Sequence, residues 1–384
     1  MVTRKFGLLV AGFMALASVG FSQSQGGGGQ SVIGQDGGLN PITTSLPFLQ
    51  ISPDAQHAGM GDVGAATAPT ANDTYFNAGR LAFNTSDIGV SVSYTPWLSK
   101  IIDDMFVAYL SGYKKVGDEQ AFGLFMRYFE LGKIQFTNDN AVITGEANPT
   151  EWTIGGTYSR KLTKNLGVGI SARYIYSNVG DGVDDLEAAS TASADIGLYY
   201  TKPLMAGGRE DEFSFGVAIN NIGGKVSYAQ EEDENFIPTN LRLGTAYTMN
   251  FDPFNSLTMA VDFNKLLVPT PQEDGSHMDK SVISGMFGSF GDASFSEEVK
   301  EITIGGGLEY WYKQAFAART GYFYEHEDKG ARKYFTMGVG FRYQVFGMDF
   351  AYMIPTEKEN PLAETLRFTL LFNFGKDKQE SITE

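Results

Sequence analysis

From residue 88 onward, apolar and polar positions alternate in short runs. In the last run Leu366, Phe368, Leu370, Phe372 and Phe374 share one parity, and Thr365, Arg367, Thr369 and Asn373 the other. Another run sets Phe335, Met337, Val339, Phe341 and Tyr343 against Thr336, Gly338, Gly340 and Arg342. Successive side chains point to opposite faces of a strand, so each run predicts a two-faced strand rather than a helix. Fourteen segments fit: 88–95, 104–111, 120–130, 150–160, 166–176, 193–202, 212–220, 239–249, 257–264, 300–310, 315–324, 334–343, 346–353 and 364–374. Most have the eight to eleven residues that cross a bilayer at a tilt. Soluble strands more often have about 5–6. An even number returns both ends of the chain to one side.

The connections sharpen this picture. After the first pair they alternate between long and short, as in outer-membrane barrels with long outer loops and short periplasmic turns. The long set carries most of the acid, including Asp181, Asp184, Asp185 and Glu187, and then Glu231, Glu232, Asp233 and Glu234. These clusters read as a solvated rim. The apolar parity is long and aromatic, which suits lipid. The opposite parity is Gly, Ser, Thr, Asn, Arg and Glu, which suits a polar packed interior. Arg127, Arg173, Arg242, Arg342 and Arg367 are expected there, paired with Glu301, Glu309, Asp262 or plug carbonyls. Backbone groups in lipid must all be paired, so the sheet must close. The predicted fold is all-β: a 14-stranded antiparallel transmembrane β-barrel with an N-terminal plug segment. A soluble sheet protein would carry more Lys and Glu on its outward face.

Residues 40–87, upstream of the barrel at 88–374, do not alternate. Pro53 and Asp54 can start a short helix. Ala58, Gly59, Gly61 and Gly64 allow close packing, and Asn72-Asp73-Thr74 can cap a second short element before Asn77. This segment is read as a plug or hatch in the barrel mouth, with an N-terminal strand pair plus linker as the competing reading. Arg4 and Lys5 followed by an apolar stretch to Phe21 predict a signal peptide over 1–24. Residues 25–39 read as a flexible glycine-rich lead and 375–384 as a periplasmic tail.

Composition removes several function classes. With 45 acidic and 29 basic residues the formal charge is -16, so no nucleic-acid partner is expected. There is no cysteine, which excludes disulfides, thiolate chemistry and an acylated lipoprotein cysteine. The 46 glycines, 29 phenylalanines and 19 tyrosines suit many strands and tight turns. His57, His277 and His326 lack zinc spacing, and no catalytic constellation is visible, so no metal, cofactor or enzymatic activity is expected. Gly155-Gly156 and Gly305-Gly306-Gly307 lie inside strand patterns and read as bends or close-packing sites rather than phosphate loops. The longest connection holds an apolar group: Val282, Ile283, Met286, Phe287 and Phe290. It is read as a partner-contact surface, or else as a lid over the mouth.

The run Leu46-Pro47-Phe48-Leu49-Gln50-Ile51-Ser52-Pro53-Asp54-Ala55, followed by Ala58-Gly59-Met60-Gly61-Asp62-Val63-Gly64-Ala65-Ala66-Thr67, carries a resemblance. So does Asn72-Asp73-Thr74-Tyr75-Phe76-Asn77-Ala78-Gly79-Arg80-Leu81. Together they resemble the PorV/PorQ family of the type IX secretion system of Bacteroidota, within the fatty-acid-transporter-like barrels. Two departures favour the secretion branch: Ala78 stands where the wider family usually has proline, and Arg80 where it has a small residue. The resemblance implies a non-enzymatic barrel in a Gram-negative outer membrane, in contact with the lipid bilayer. It implies binding of the C-terminal domains of secreted cargo at the giant translocon SprA, and delivery to a PorU-containing attachment complex. The alternative expectation is an outer-membrane transporter of long-chain hydrophobic molecules.

Overall fold

A computed structural model describes residues 40–97, 104–137, 143–179, 187–228, 234–272, 275–356 and 365–375. The signal peptide, the lead, the tail beyond Gly375 and the acidic residues Asp181, Asp184, Asp185, Glu231, Glu232 and Asp233 lie outside the described residues.

Alternation along the chain becomes a closed wall. The first strands are β1 (Ile88–Pro96), β2 (Phe106–Val116) and β3 (Gln120–Glu130). A small hairpin follows, β4 (Ile134–Thr137) and β5 (Ile143–Ala147), outside the wall. The wall continues with β6 (Thr150–Lys161), β7 (Leu166–Asn178), β8 (Ala189–Ala206) and β9 (Arg209–Gly223). Then come β10 (Asn240–Asp252), β11 (Asn255–Leu266), β12 (Thr303–Tyr312), β13 (Phe316–Tyr324), β14 (Lys333–Tyr343), β15 (Phe346–Pro355) and β16 (Leu366–Phe374). All neighbours pair antiparallel, and β1 pairs β16 from Ile88 opposite Phe374 to Tyr94 opposite Phe368, which closes a barrel of 14 strands.

Every predicted strand lies on a wall strand, with three differences. The β4–β5 hairpin sits inside a connection read as loop. β8 and β9 run past the predicted turn to Gly207 and Gly208, whose φ of +59° and +82° make the reversal. Burial stops alternating regularly over the last residues of β8, so the pattern that marks a membrane strand fades there. The strand predicted from residue 300 begins at Thr303, because Phe295–Lys300 is helical, capped by Ser294.

Chain direction orients the barrel. β1 starts and β16 ends at the rim of short turns, the periplasmic end of such barrels, and the long connections gather at the outer end. Outward side chains such as Leu124, Ile154, Ile170 and Met337 are exposed, as lipid-facing groups must be. Inward ones such as Ser91, Ser111, Thr157, Ser171 and Thr369 are buried. Water is not what buries them: the plug fills the lumen.

The plug runs the length of the lumen. At the outer end the Asn40 N–H donates to the Asp328 carbonyl at 3.0 Å. At the inner end the Lys115 N–H donates to the Asp87 carbonyl at 2.8 Å, one residue before β1. Between them lie two single-turn helices, α1 (Ala55–Ala58) and α2 (Asp73–Phe76), and two 3-10 turns, at Pro47–Gln50 and Ala78–Phe83. The outer part forms an apolar collar. Leu46, Phe48, Leu49 and Ile51 pack with Trp97, Met105, Phe129, Ile175 and Ile237 from the wall and outer loops.

Candidate functional site

Plug and wall are joined through backbone. Small residues on both sides let the two chains approach, and wall side chains clasp the plug amides. The Asp54 carboxylate caps α1, accepting from the His57 N–H at 3.0 Å, and also holds His57 Nδ1 at 2.8 Å. The His57 ring stacks on Phe76 at 4.1 Å, so this buried histidine is a packing and capping partner. The N–H groups of Gly64 and Ala65 donate to Asp262 on β11 at 2.7 and 2.9 Å. Thr369 on β16 accepts from Ala55 at 2.9 Å, and Thr336 on β14 from Gly61 at 3.0 Å.

The remaining motif residues take defined places on this track. Gly61 has φ +72°, and a Cβ there would stand 2.7 Å from the carbonyl oxygens of Gly306 and Tyr322. Pro53, just before α1, and Ala58, its last residue, are buried, with Gly59 against Gly338, and Met60 packs with Val63, Ala66, Ala246 and Ala260. Asp62 accepts from the Tyr334 hydroxyl at 2.5 Å and pairs with Arg367 at 3.3 Å. Asn72 accepts from Ser111 at 2.9 Å. Asn77 donates to the carbonyls of Ala65 at 2.9 Å and Leu198 at 3.0 Å while its oxygen accepts from Gly79. It thus pins two plug turns and β8 together. Gly305 and Gly307 face the plug at Gly61 and Met60, whereas Gly306 faces outward. The glycine run is a close-packing track.

Charge inside the lumen is organised in pairs. Arg173 pairs with Asp195, Arg242 with Asp262 at 3.3 Å, and Arg342 with Asp349 at 2.7 Å. Glu309 pairs with Arg319 at 2.6 Å and Glu301 with Lys265 at 2.5 Å, so neither takes one of the five expected arginines. Arg127 and Arg367 donate to the plug carbonyls of Phe48 and Ser52 at 2.7 and 3.0 Å. Sequence reading named Arg80 only as a departure from the wider family's motif and missed Arg319. Arg80 is fully buried, 3.0 Å from Asp73, and donates to the carbonyls of Gly64 and Ala68. Arg319 on β13 bridges Glu309 on β12 and Asp349 on β15. The signal for Arg319 was present, because Glu309 and Arg319 are directly opposite on adjacent strands, but reading it requires the register.

The long connection between β11 and β12 makes a cap at the outer rim. It carries α3 (Val282–Gly288), with Ser281 as N-cap, and α4 (Phe295–Lys300). Helical periodicity splits the expected patch in two. Gly285, Met286 and Ser289 turn down and are buried, while Ile283, Phe287 and Phe290 turn out. Met286 is therefore an anchor and not an exposed contact, and Val282 is half-buried. Phe295, 84% exposed, and Val299 extend the outer face. Ion pairs hold the cap down: Lys265 to Glu298 at 2.8 Å, Lys329 to Glu297 at 2.6 Å and to Glu301 at 3.1 Å, and Lys300 to Asp328 at 2.7 Å. The hydrogen bond from Lys329 keeps the Glu297 carboxyl below its ordinary range, and that from Lys300 does the same for Asp328.

Neither a metal-ligating group of three or more acidic, histidine or cysteine side chains nor a transmembrane helix occurs among the described residues. His326 caps a short 3-10 turn, accepting from the Asp328 N–H at 3.2 Å.

Comparison with known proteins gives three findings. No curated protein matches the chain. Among solved structures, it resembles the toluene transporter TodX of Pseudomonas putida, with 10% identity, 84% of this chain and 99% of that one covered, and a TM-score of 0.49. It also resembles the toluene transporter TbuX of Ralstonia pickettii (12%, 84% and 98%, 0.46) and a FadL homologue of Pseudomonas aeruginosa (11%, 88% and 100%, 0.45). Likeness at this level carries nothing about what this barrel binds. The family model described as type IX secretion system protein PorV matches residues 35–273, more than half of the chain. With a closed 14-stranded barrel around a plug, the chain belongs to the PorV family of type IX secretion system proteins and is an outer-membrane protein.

Proposed function

We propose that this barrel is the cargo-handling component of its secretion system. It binds the C-terminal domain of a secreted protein at the SprA translocon and carries it to the PorU-containing attachment complex. The observation that carries this reading is the cap. Ile283, Phe287, Phe290, Phe295 and Val299 are exposed on an ion-paired platform at the outer rim. Apolar side chains presented to water on a fixed support are what a protein partner requires. A filled lumen fits the same role, because a carrier working at its outer face needs no open pore. The test is co-purification from solubilised outer membranes. Replacing Phe287 and Phe290 by Ser should lower recovery of cargo about tenfold or more, in the range of interface hot spots, with barrel abundance unchanged. Undiminished recovery of cargo would refute the assignment to the cap.

One observation favours the second reading, passage of long hydrophobic molecules. The β8–β9 register shifts between Ala194 and Ile196, and a groove there is lined by Ile154, Ala172, Tyr174, Ala192, Ala194 and Ile222 beside the lumen-facing Arg173 and Ser193. An irregular wall is where a molecule could leave sideways into lipid. Long-chain lipid bound in the lumen, with no cargo and no translocon recovered, would favour it.

A further inference from the structure

Between the apolar collar and the hatch lies a chamber of about 150 Å³. Its lining includes Tyr75, Trp97, Arg173, Arg242, Arg367 and Asn220. It is rich in cations, and nearly all of them are matched. Arg173, Arg242 and Arg367 face Asp195, Asp262 and Asp62. At the outer side Lys329 meets Glu301 at 3.1 Å and Arg332 meets Glu325 at 2.7 Å.

Arg127, which stands behind the lining residue Tyr75 and not in the lining itself, has no such match. It is 2% exposed, stacks on Tyr75 at 4.6 Å and donates to the Phe48 carbonyl, with no acid partner among the described residues. The nearest carboxylate in register is Glu151, since Arg127 lies opposite Thr153 and Phe129 opposite Glu151. That carboxylate is taken by Ser177 at 2.8 Å, and Ser177 in turn by Tyr228 at 2.9 Å. N–H groups are left over as well: among the described residues, Trp97 Nε1, Arg173 Nε, Arg242 Nε, and Nε and Nη2 of Arg127 have no hydrogen-bond partner. Water can accept from an N–H, but it cannot neutralise a buried guanidinium, whose desolvation is costly when uncompensated.

We propose that the chamber binds one small oxyanion, a carboxylate or phosphate group. Trp97 and the guanidiniums of Arg173, Arg242 and Arg367 donate to its oxygens, and Arg127 supplies the surplus positive charge behind Tyr75. The volume accommodates an oxyanion head with a few carbons, well short of the roughly 300–1,000 Å³ of sites that enclose drug-sized ligands. The oxyanion could be soluble or the head of a membrane lipid. The site shares Lys329 and Glu301 with the ion pairs of the cap but does not depend on what the cap holds.

The experiment has two arms. Native mass spectrometry of the full-length barrel extracted from outer membranes reads any bound mass. Thermal unfolding of the washed barrel is then followed with inorganic phosphate or butyrate, against chloride at equal ionic strength. The proposal expects a rise in Tm with oxyanion over chloride, reduced by at least half in Arg127→Gln and kept in Arg127→Lys. Trp97→Phe, which leaves every charge in place, should weaken binding several-fold. Glu151→Gln should leave it unchanged or tighter. A lipid-sized adduct on the extracted barrel assigns the source to the membrane, and a shift without such an adduct assigns it to the soluble pool. The proposal fails if oxyanion and chloride act alike with no adduct present, or if Trp97→Phe and Arg127→Lys both match the wild type while Arg127→Gln, where it folds, does so too.

Discussion

Arg80 shows how a single side chain can hold a hatch together. Its guanidinium reaches Asp73 and the carbonyls of Gly64 and Ala68, so it ties α2 to the small-residue stretch twelve to sixteen residues earlier. A wider-family small residue at this position would leave the buried Asp73 without its cationic partner. Breaking a buried pair from one side costs about 3–5 kcal/mol, whereas replacing both partners by apolar groups costs far less. Arg80→Met should therefore lower the denaturant midpoint of the folded barrel markedly, and adding Asp73→Leu should restore most of it. A double variant no more stable than the single one would show that the carbonyl contacts, not the ion pair, matter. Gly61 gives a second residue-scale expectation. A Cβ there clashes with two wall carbonyls and strains a φ of +72°, so Gly61→Ala should destabilise by about 1–3 kcal/mol in the same unfolding measurement.

At the scale of elements, strands were legible because membrane and plug impose opposite demands on alternate residues. The last strand needs nothing beyond Leu366, Phe368 and Leu370 against Arg367 and Thr369. The β4–β5 hairpin was not legible, since an element outside the wall has no lipid face to enforce the pattern. The cap was half legible. Its apolar residues were visible, but only a helix from 282 to 288 decides that Met286 is buried and Phe287 is not. Lumen charges were visible as residue types and not as pairs, because parity places Arg319 inside while register chooses Glu309 and Asp349. The cap also carries a pH expectation. Glu297 and Asp328 are held below their ordinary values of 4.5 and 3.8 by Lys329 and Lys300. Their contribution is complete above those values and is lost as pH falls through the lower, folded ones. Hydrogen exchange over residues 282–300 should therefore stay slow at neutral pH and speed up below about pH 4, after correction for intrinsic exchange rates. Lys329→Ala should bring the same loosening at neutral pH. Protection independent of both would mean that Met286 and Gly285 packing alone holds the cap.

For the whole molecule, the path of the plug fixes which surface each end of the lumen serves. Asn40 is tied to the outer loop between β13 and β14, by its N–H to Asp328 and by its carbonyl to Lys329 at 2.8 Å. From there the chain descends through collar, chamber and hatch to Asp87 and enters the wall at Ile88. The hatch thus approaches β1 from within, and its first described residue lies on the side of the cap. The chain has no cysteine, so single cysteines report this topology cleanly. Asn40→Cys should react with a membrane-impermeant maleimide on intact cells, as should Phe287→Cys. Asp118→Cys, in the short turn beside Gly117, should react only after the outer membrane is opened. Both substitutions at the outer end preserve the fold, since the Asn40 contacts are made by backbone and Phe287 is exposed. Labelling of Asp118→Cys from outside, with Asn40→Cys silent, would invert the barrel. The cap would then face the periplasm and could not meet cargo at the cell surface. The expected pattern leaves collar, chamber and cap on one side of the hatch, where a carrier meets the proteins it moves.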